Sequence, residues 1–291
     1  MRSLLSKLGL GTAQFCLDGG PALRGRTPEA EVREMLTVAA RAGLGVLDAG
    51  AASAHVEQML GAGLTRPSPL RIMVRATRAD RGPDYMETEA RASLARLGLK
   101  AADAIVVQTA SDLFGPQGLP VWDRMKLLRD EGLFTQIGIC AYASDDPAGI
   151  ARRFRPDLIQ APASLLDQRL LVDGSLAAVR DMGIEVHLRS IFLNGLLFLP
   201  PDRVPAQLKG AAGRLSRARR MIAEGRSDPL QAALGFALSR SEGDAVIVGA
   251  ATAAELSAVI AAASSPPPDL DWDEMAIDDP VALDPRRWAA A

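Results

Sequence analysis

Residues 103–140 read DAIVVQTASDLFGPQGLPVWDRMKLLRDEGLFTQIGIC, and this stretch decides the fold. It opens on a short apolar run, DAIVVQ, and closes on another, TQIGIC. Between them VWDRMKLLRDEG repeats apolar residues at intervals of three and four and stops at a glycine, as an amphipathic helix with a glycine C-cap does. The unit is strand, helix, strand. Similar strand-type runs recur along the chain as LGLGTAQF, GVLD, RIMVR, DLIQAP, IEVHLR and AVIVGA, separated by helical segments such as EVREMLTVAARAG, which makes eight strands in all. Strand followed by helix eight times is the signature of a closed parallel (β/α)8 barrel, the TIM barrel. A doubly wound open sheet is the competing arrangement, but no glycine-rich dinucleotide fingerprint follows the first strand.

Two regions depart from the alternation. Residues 204–240 carry two consecutive helical patterns before the last strand. From residue 264 onward the sequence SSPPPDLDWDEMAIDDPVALDPRRWAAA is rich in proline and acid yet holds Trp272 and Trp288. A disordered tail rarely carries two tryptophans, so this C-terminal extension is expected to pack on the barrel. The expectation is therefore one domain over residues 1–291, with residues 264–291 as its extension.

Composition narrows the function classes. Of 291 residues 48% are apolar, and 33 basic against 35 acidic side chains leave a net charge of -2. That balance gives no bulk attraction to nucleic acid or an anionic membrane, so a small-molecule partner is expected. Cys16 and Cys140 sit in strand-like contexts without metal-ligand spacing, which points to a reduced chain with no disulfide framework and no metal site. Lys7 and the glycines interrupt the N-terminal apolar stretch before a signal-peptide core forms, and no run is long enough to span a bilayer. A cytoplasmic protein is expected.

The chain has only two tyrosines, Tyr85 and Tyr142, and two histidines, His55 and His187. Any mechanism needing a phenol or an imidazole as acid must use one of these four. In a barrel, function sits on the loops after the strands' C-terminal ends. Asp48 ends the second strand, Arg75 the third, Gln108 the fourth, Cys140 the fifth, Gln160 the sixth, and Arg189 with Ser190 the seventh. Asp48 and Arg75 are placed to form a charge-assisted pair, read either as part of a site or as a salt bridge closing the barrel top. Gln108 and Gln160 are read as contacts to a ligand's carbonyl or amide, or as partners of loop backbone. His55 is a candidate acid or an exposed residue at a helix start, and His187 a packing residue. Tyr142 lies in a loop that enters the mouth, whereas Tyr85 opens a helix far from any strand end.

The strings LGLGTAQF, LDAGAASAHVEQMLG, DAIVVQTASDL, QIGICAYASDDP, DLIQAPASLLDQRLL, EVHLRSIFLNGLLFL and AVIVGAATAAEL together resemble the aldo/keto reductases over nearly the whole chain. RSIFLNGLL and SLLDQR resemble most closely the bacterial branch associated with surface-sugar or flagellin-modification pathways. The resemblance implies a (β/α)8 barrel binding NADPH or NADH across its mouth, with hydride passing to a carbonyl and a tyrosine donating the proton. It also implies a lysine that lowers the tyrosine's pKa, an aspartate paired with the lysine, and a histidine that orients the carbonyl.

Carried over by position, the aspartate is Asp48. The tyrosine of the D-T-A-x-x-Y-G-x-S-E setting falls on Ser53, with Glu57 in the acidic place. The lysine falls on Arg75, or on Arg78 in a shifted alignment, and the histidine on Gln108. Arginine stays protonated and cannot relay a proton, glutamine still donates to a carbonyl, and an alkyl hydroxyl is a poor acid. Gly11, Thr12, Gln160, Arg189, Ser190 and Gly249 fit positions lining the family's cofactor cleft. Glu255 fits one that contacts adenine, and Ser164 stands where the pattern has asparagine. GAATAAEL lacks the basic residue that usually pairs with a 2′-phosphate, which removes the reason to prefer NADPH over NADH. Three readings follow: NAD(P)H-dependent reduction of an aldehyde or ketone, sugar-derived carbonyls included, with activity impaired or altered by loss of the tyrosine; a non-catalytic barrel binding a ligand or partner in a cell-surface sugar pathway; and a lyase or isomerase working without nicotinamide.

Overall fold

The computed structural model describes residues 4–16, 26–50 and 53–288. Eight parallel strands close into a barrel in sequence order: β1 (Leu8–Gly11), β2 (Val46–Asp48), β3 (Arg71–Ala76), β4 (Ala102–Val107), β5 (Phe134–Cys140), β6 (Leu158–Pro162), β7 (Glu185–Arg189) and β8 (Ala245–Gly249). β8 pairs with β1, matching Leu8 to Val246 and Gly11 to Gly249, which leaves the barrel no free edge. The open-sheet alternative is thereby excluded. LGLGTAQF is strand only through Gly11; the chain then turns, and Ala13–Cys16 form a short 3-10 helix, so Cys16 is not in a strand.

Helices surround the strands: α1 (Glu29–Ala42), α2 (Ala54–Gly63), α3 (Pro83–Leu97), α4 (Gly118–Asp130), α5 (Pro147–Phe154), the short α6 (Arg169–Val172), α7 (Ser175–Asp181), α8 (Ala212–Glu224), α9 (Pro229–Ser239) and α10 (Ala253–Ser264). Their spacing explains their faces. α1 buries Val32, Met35, Leu36 and Ala39 and ends at Gly43, whose φ of 74° is the left-handed cap that glycine adopts without strain. α4 buries Val121, Trp122, Met125 and Leu128 in the same way. Each such large side chain contributes about 1.5–3 kcal/mol of burial. α8 and α9 are the two additional helices before the last strand.

The two-residue period of a strand sorts side chains between the barrel interior and the helix layer. Val46, Met73, Ala104, Val106, Leu158, Ala245 and Ile247 form a separate buried cluster inside the barrel, with Cys140 at its top. Gly9 gives Ile247 room there: a Cβ on Gly9 would lie 2.6 Å from Ile247 Cδ1. Following the same alternation toward the C-terminal ends brings Asp48, Arg75, Gln108, Cys140, Gln160, Arg189 and Gly249 toward one mouth.

At the opposite, N-terminal end, Glu185 closes the barrel. Its carboxylate accepts from Arg71 at 2.8 and 3.0 Å and from Gln136 at 3.0 Å, and His187 Nε2 lies 2.8 Å away. Burial pushes this carboxyl up, but the hydrogen bonds from His187, Arg71 and Gln136 outweigh it and hold it far below the usual carboxylate range. A carboxyl whose folded pKa is depressed stabilises the fold above its unfolded value of about 4.3, and that stability is lost as pH falls toward the folded value. Glu185→Gln is therefore expected to flatten the dependence of unfolding free energy on pH below about pH 4.5. Urea unfolding at stepped pH reads this, and an unchanged acid limb would refute it.

The C-terminal extension packs back on the barrel. Met275, Ile277, Ala282 and Leu283 are buried in a second core with Leu196, Leu215, Ile222 and Phe236. Trp272 meets Phe236 edge to face at 5.8 Å, and its carbonyl accepts from Gln168 Nε2. Trp288 sits on the same core and donates from Nε1 to Val281 O at 2.9 Å. Residues 289–291 of the extension lie outside the described residues. Among the described residues no helix is long and apolar enough to cross a membrane.

Candidate active site

A cavity of about 300 Å3 opens at the C-terminal ends of the strands. Its floor is built by four side chains that alternation and register bring together. Arg75, from β3, donates to Asp48 Oδ2 at 2.6 Å, to Gln160 Oε1 at 2.8 Å and to Cys140 Sγ at 3.0 Å. Gln160 returns a bond from Nε2 to Asp48 Oδ2 at 3.0 Å, and Cys140 Sγ lies 3.1 Å from Gln160 Oε1. The ion pair is dry, with Arg75 7% and Asp48 5% exposed. Burial pulls the Arg75 guanidinium down, but Asp48 and then Cys140 more than offset it, so the group stays above its ordinary value and remains charged.

Among the described residues, two atoms of this network have no hydrogen-bond partner: Asp48 Oδ1 and Arg75 Nε. Both face Gly50. A Cβ there would stand 3.1 Å from Asp48 Oδ1 and 3.4 Å from Arg75 Nε, so a side chain at this position would crowd the ion pair.

The wall opposite is aromatic and cationic. Arg189, ending β7, lies 4.2 Å from the Tyr142 ring centre and donates to its hydroxyl at 3.2 Å. Arg286, from the C-terminal extension, stacks 3.6 Å from the same ring. Asp284 holds Arg286 in a fork at 2.9 and 2.8 Å, and Ser144 Oγ accepts from it at 3.1 Å. The hydrogen bond to Asp284 raises the Arg286 pKa. The loop beyond β7 is strained, since Ser190, Leu193 and Asn194 all adopt positive φ of 59°, 44° and 49°. Such conformations cost about 1–3 kcal/mol each in a non-glycine residue and concentrate at ligand sites. Ser190 and Asn194 both line the cavity.

Of the residues singled out in the sequence, Gly11, Thr12, Asp48, Arg75, Gln108, Arg189, Ser190 and Gly249 line this cavity. Gln160 is fully buried beneath it, its carboxamide engaged by the ion pair. Ser53 is half-buried at the start of α2, outside the cavity lining. Glu57 is turned away to Ser93 and Arg96, tying α2 to α3. Ser164 is buried and accepts from Asp167 N at 2.9 Å. Glu255 accepts from Ala251 N in the cap of α10. Arg78 pairs on the surface with Asp112, so Arg75 and not Arg78 meets Asp48. His55 is exposed and His187 fully buried, and neither lines the cavity. Tyr85 stacks with Arg81, whereas Tyr142 is in the cavity wall. Among the described residues no cluster of His, Cys, Asp and Glu could hold a metal ion.

Sequence reasoning did not find Arg286 or Gly50. Gly50 reads as one more small residue after a strand. Arg286 lies far from every strand end, in an acid-rich segment, and nothing in the pattern marks it as a cavity residue.

The pattern of the aldo/keto reductase family matches residues 7–277. No curated protein matches the chain. Among solved structures, a protein of Pseudomonas aeruginosa provisionally given as an aldo-keto reductase superposes with a TM-score of 0.66 at 18% identity, covering 89% of this chain and 90% of that one. A second structure so described from the same organism gives 0.65 at 17% identity with the same coverage. At these identities the likeness is one of fold.

Proposed function

The chain belongs to the aldo/keto reductase family, and from that premise we propose that it reduces an aldehyde or ketone, sugar-derived carbonyls included, at an altered and slowed active centre in the cytoplasm. The observation that carries the reading is the cavity's proton-donor inventory. Ser53, in the family's tyrosine position, lies outside the cavity lining, while Tyr142 on the opposite wall lies within it. The phenol oxygen of Tyr142 accepts from Arg189, so its own O–H is free to donate to the oxygen of a carbonyl. Gln108, which lines the cavity, would orient that carbonyl as a donor. Arg75 stays charged on the floor and relays no proton, because its guanidinium does not titrate in the working range.

The family's nicotinamide cofactor, NADPH or NADH, supplies the hydride when bound. Gly11, Thr12, Ser190 and Gly249 would hold it, since all four border the cavity. Gln160 does not fit that role with its carboxamide committed to Asp48 and Arg75. That commitment favours a second reading, a non-catalytic barrel that retains a ligand or partner site in a surface-sugar pathway.

Titration of the full chain with NADPH and NADH, followed by nicotinamide fluorescence and calorimetry, separates the two. The reductase reading expects saturable binding at roughly micromolar Kd and slow turnover of a carbonyl panel. No binding up to about millimolar concentration would sink it in favour of the second.

A further inference from the structure

Three guanidinium groups border the cavity, and two are already neutralised. Arg75 is paired with Asp48, and Arg286 with Asp284 and Asp145. Arg189 is different. Among the described residues no carboxylate lies within ion-pair distance of it; its contacts are the Tyr142 hydroxyl and ring, and its buried Nε has no hydrogen-bond partner. A guanidinium held at a concave site without a counter-charge is a receptor for an oxyanion, whose two oxygens match its fork. The neighbouring Arg286 adds to the positive field over the same side of the cavity.

On the floor beneath Gly50, the unpartnered acceptor Asp48 Oδ1 stands beside the unpartnered donor Arg75 Nε. A hydroxyl both donates and accepts, and so satisfies this pair with a single atom. A buried polar group left unpaired costs free energy that such a partner would recover. The cavity volume of about 300 Å3 is at the lower end of ligand pockets, which run to about 1,000 Å3, and so suits a small molecule.

We propose that the cavity binds a small hydroxylated acid, with the carboxylate or phosphate-ester oxyanion on Arg189 and a hydroxyl at Gly50 over Asp48 and Arg75. This rests on the reading of the cavity as the reaction site and names the class of its substrate or product. The test is calorimetric titration of the full chain, without nucleotide, with glycerate, gluconate and glycerol 3-phosphate against the uncharged glycerol and sorbitol and against inorganic phosphate. Saturable binding of at least one hydroxylated anion, about tenfold or more tighter than its uncharged counterpart, is the expected result; whether the carboxylates or the phosphate ester bind identifies the oxyanion.

Arg189→Gln should weaken that binding about tenfold or more, with Arg189→Lys restoring part of it. Gly50→Ala, which places a methyl beside Asp48 Oδ1, should weaken the hydroxylated anion and leave inorganic phosphate unchanged. Circular dichroism and the melting midpoint establish that each variant is folded. Equal affinity for anions and uncharged polyols, no binding of any anion, or full affinity in folded Arg189→Gln would overturn the proposal. Because nucleotide is absent, failure here is distinct from failure of the reductase reading. Where NADPH does bind, the anion must bind alongside it, and displacement by NADPH would overturn its assignment to the substrate.

Discussion

Replacing Tyr142 by phenylalanine is expected to lower carbonyl-reduction turnover about 10²- to 10³-fold, within the usual contribution of a positioned general acid, while nucleotide affinity stays within about twofold. The substitution deletes one oxygen and keeps the ring that Arg189 and Arg286 stack against, so the wall survives. What is lost is the O–H that protonates the carbonyl oxygen. Ser53 lies outside the cavity lining and His55 on the surface, so neither of these two stands in for it. The loss should fall on kcat, because the acid acts in the transition state. Single-turnover kinetics of the wild type and variant with one aldehyde and one ketone measure it. Equal rates would assign the proton to solvent and remove Tyr142 from the mechanism.

The second large effect is on stability. Arg75→Met leaves Asp48 as a buried carboxylate with Gln160 as its remaining side-chain partner, and removing one member of a buried ion pair costs about 3–5 kcal/mol. Asp48→Asn strands the guanidinium in the same manner. Replacing both, as Asp48→Leu with Arg75→Met, removes two charges from a dry site and should recover much of that loss, since apolar replacement of a whole buried pair is often near neutral. Denaturant unfolding of the two single variants and the double gives the coupling energy directly. A double variant no more stable than the weaker single would mean that the pair is not the unit that matters. Because a guanidinium stays protonated, Arg75 contributes rigidity and charge at the floor but relays no proton.

The barrel was legible because its determinants are local and repeated. Eight runs such as DAIVVQ and TQIGIC carry the two-residue period or the continuous apolar character of buried strands. The helices between them carry the 3.6-residue period and glycine stops, and the final register follows from barrel closure. Asp48, Arg75, Gln108 and Arg189 could be found at the mouth because a strand end in a parallel barrel always faces it. What the pattern does not encode is which polar groups saturate one another. Gln160 reads in sequence as a strand-end amide like Gln108, but β6 runs on to Pro162, so Gln160 sits mid-strand and is consumed beneath the cavity beside Cys140, whereas Gln108 follows β4 and lines it. Glu57 reads in sequence as a mouth residue, but α2 turns it toward α3, where Arg96 and Ser93 hold it. Arg286 was invisible because its contact with Tyr142 spans half the chain and depends on the fold of a proline-rich segment without periodicity.

The stacking of Arg286 on Tyr142 has an implication for a shortened chain. All eight strands precede Arg286 in the chain, so a polypeptide that stops short of Arg286 carries every strand of the barrel and lacks one wall of its cavity. A chain clipped before Arg286 is therefore expected to present an incomplete mouth to its ligand.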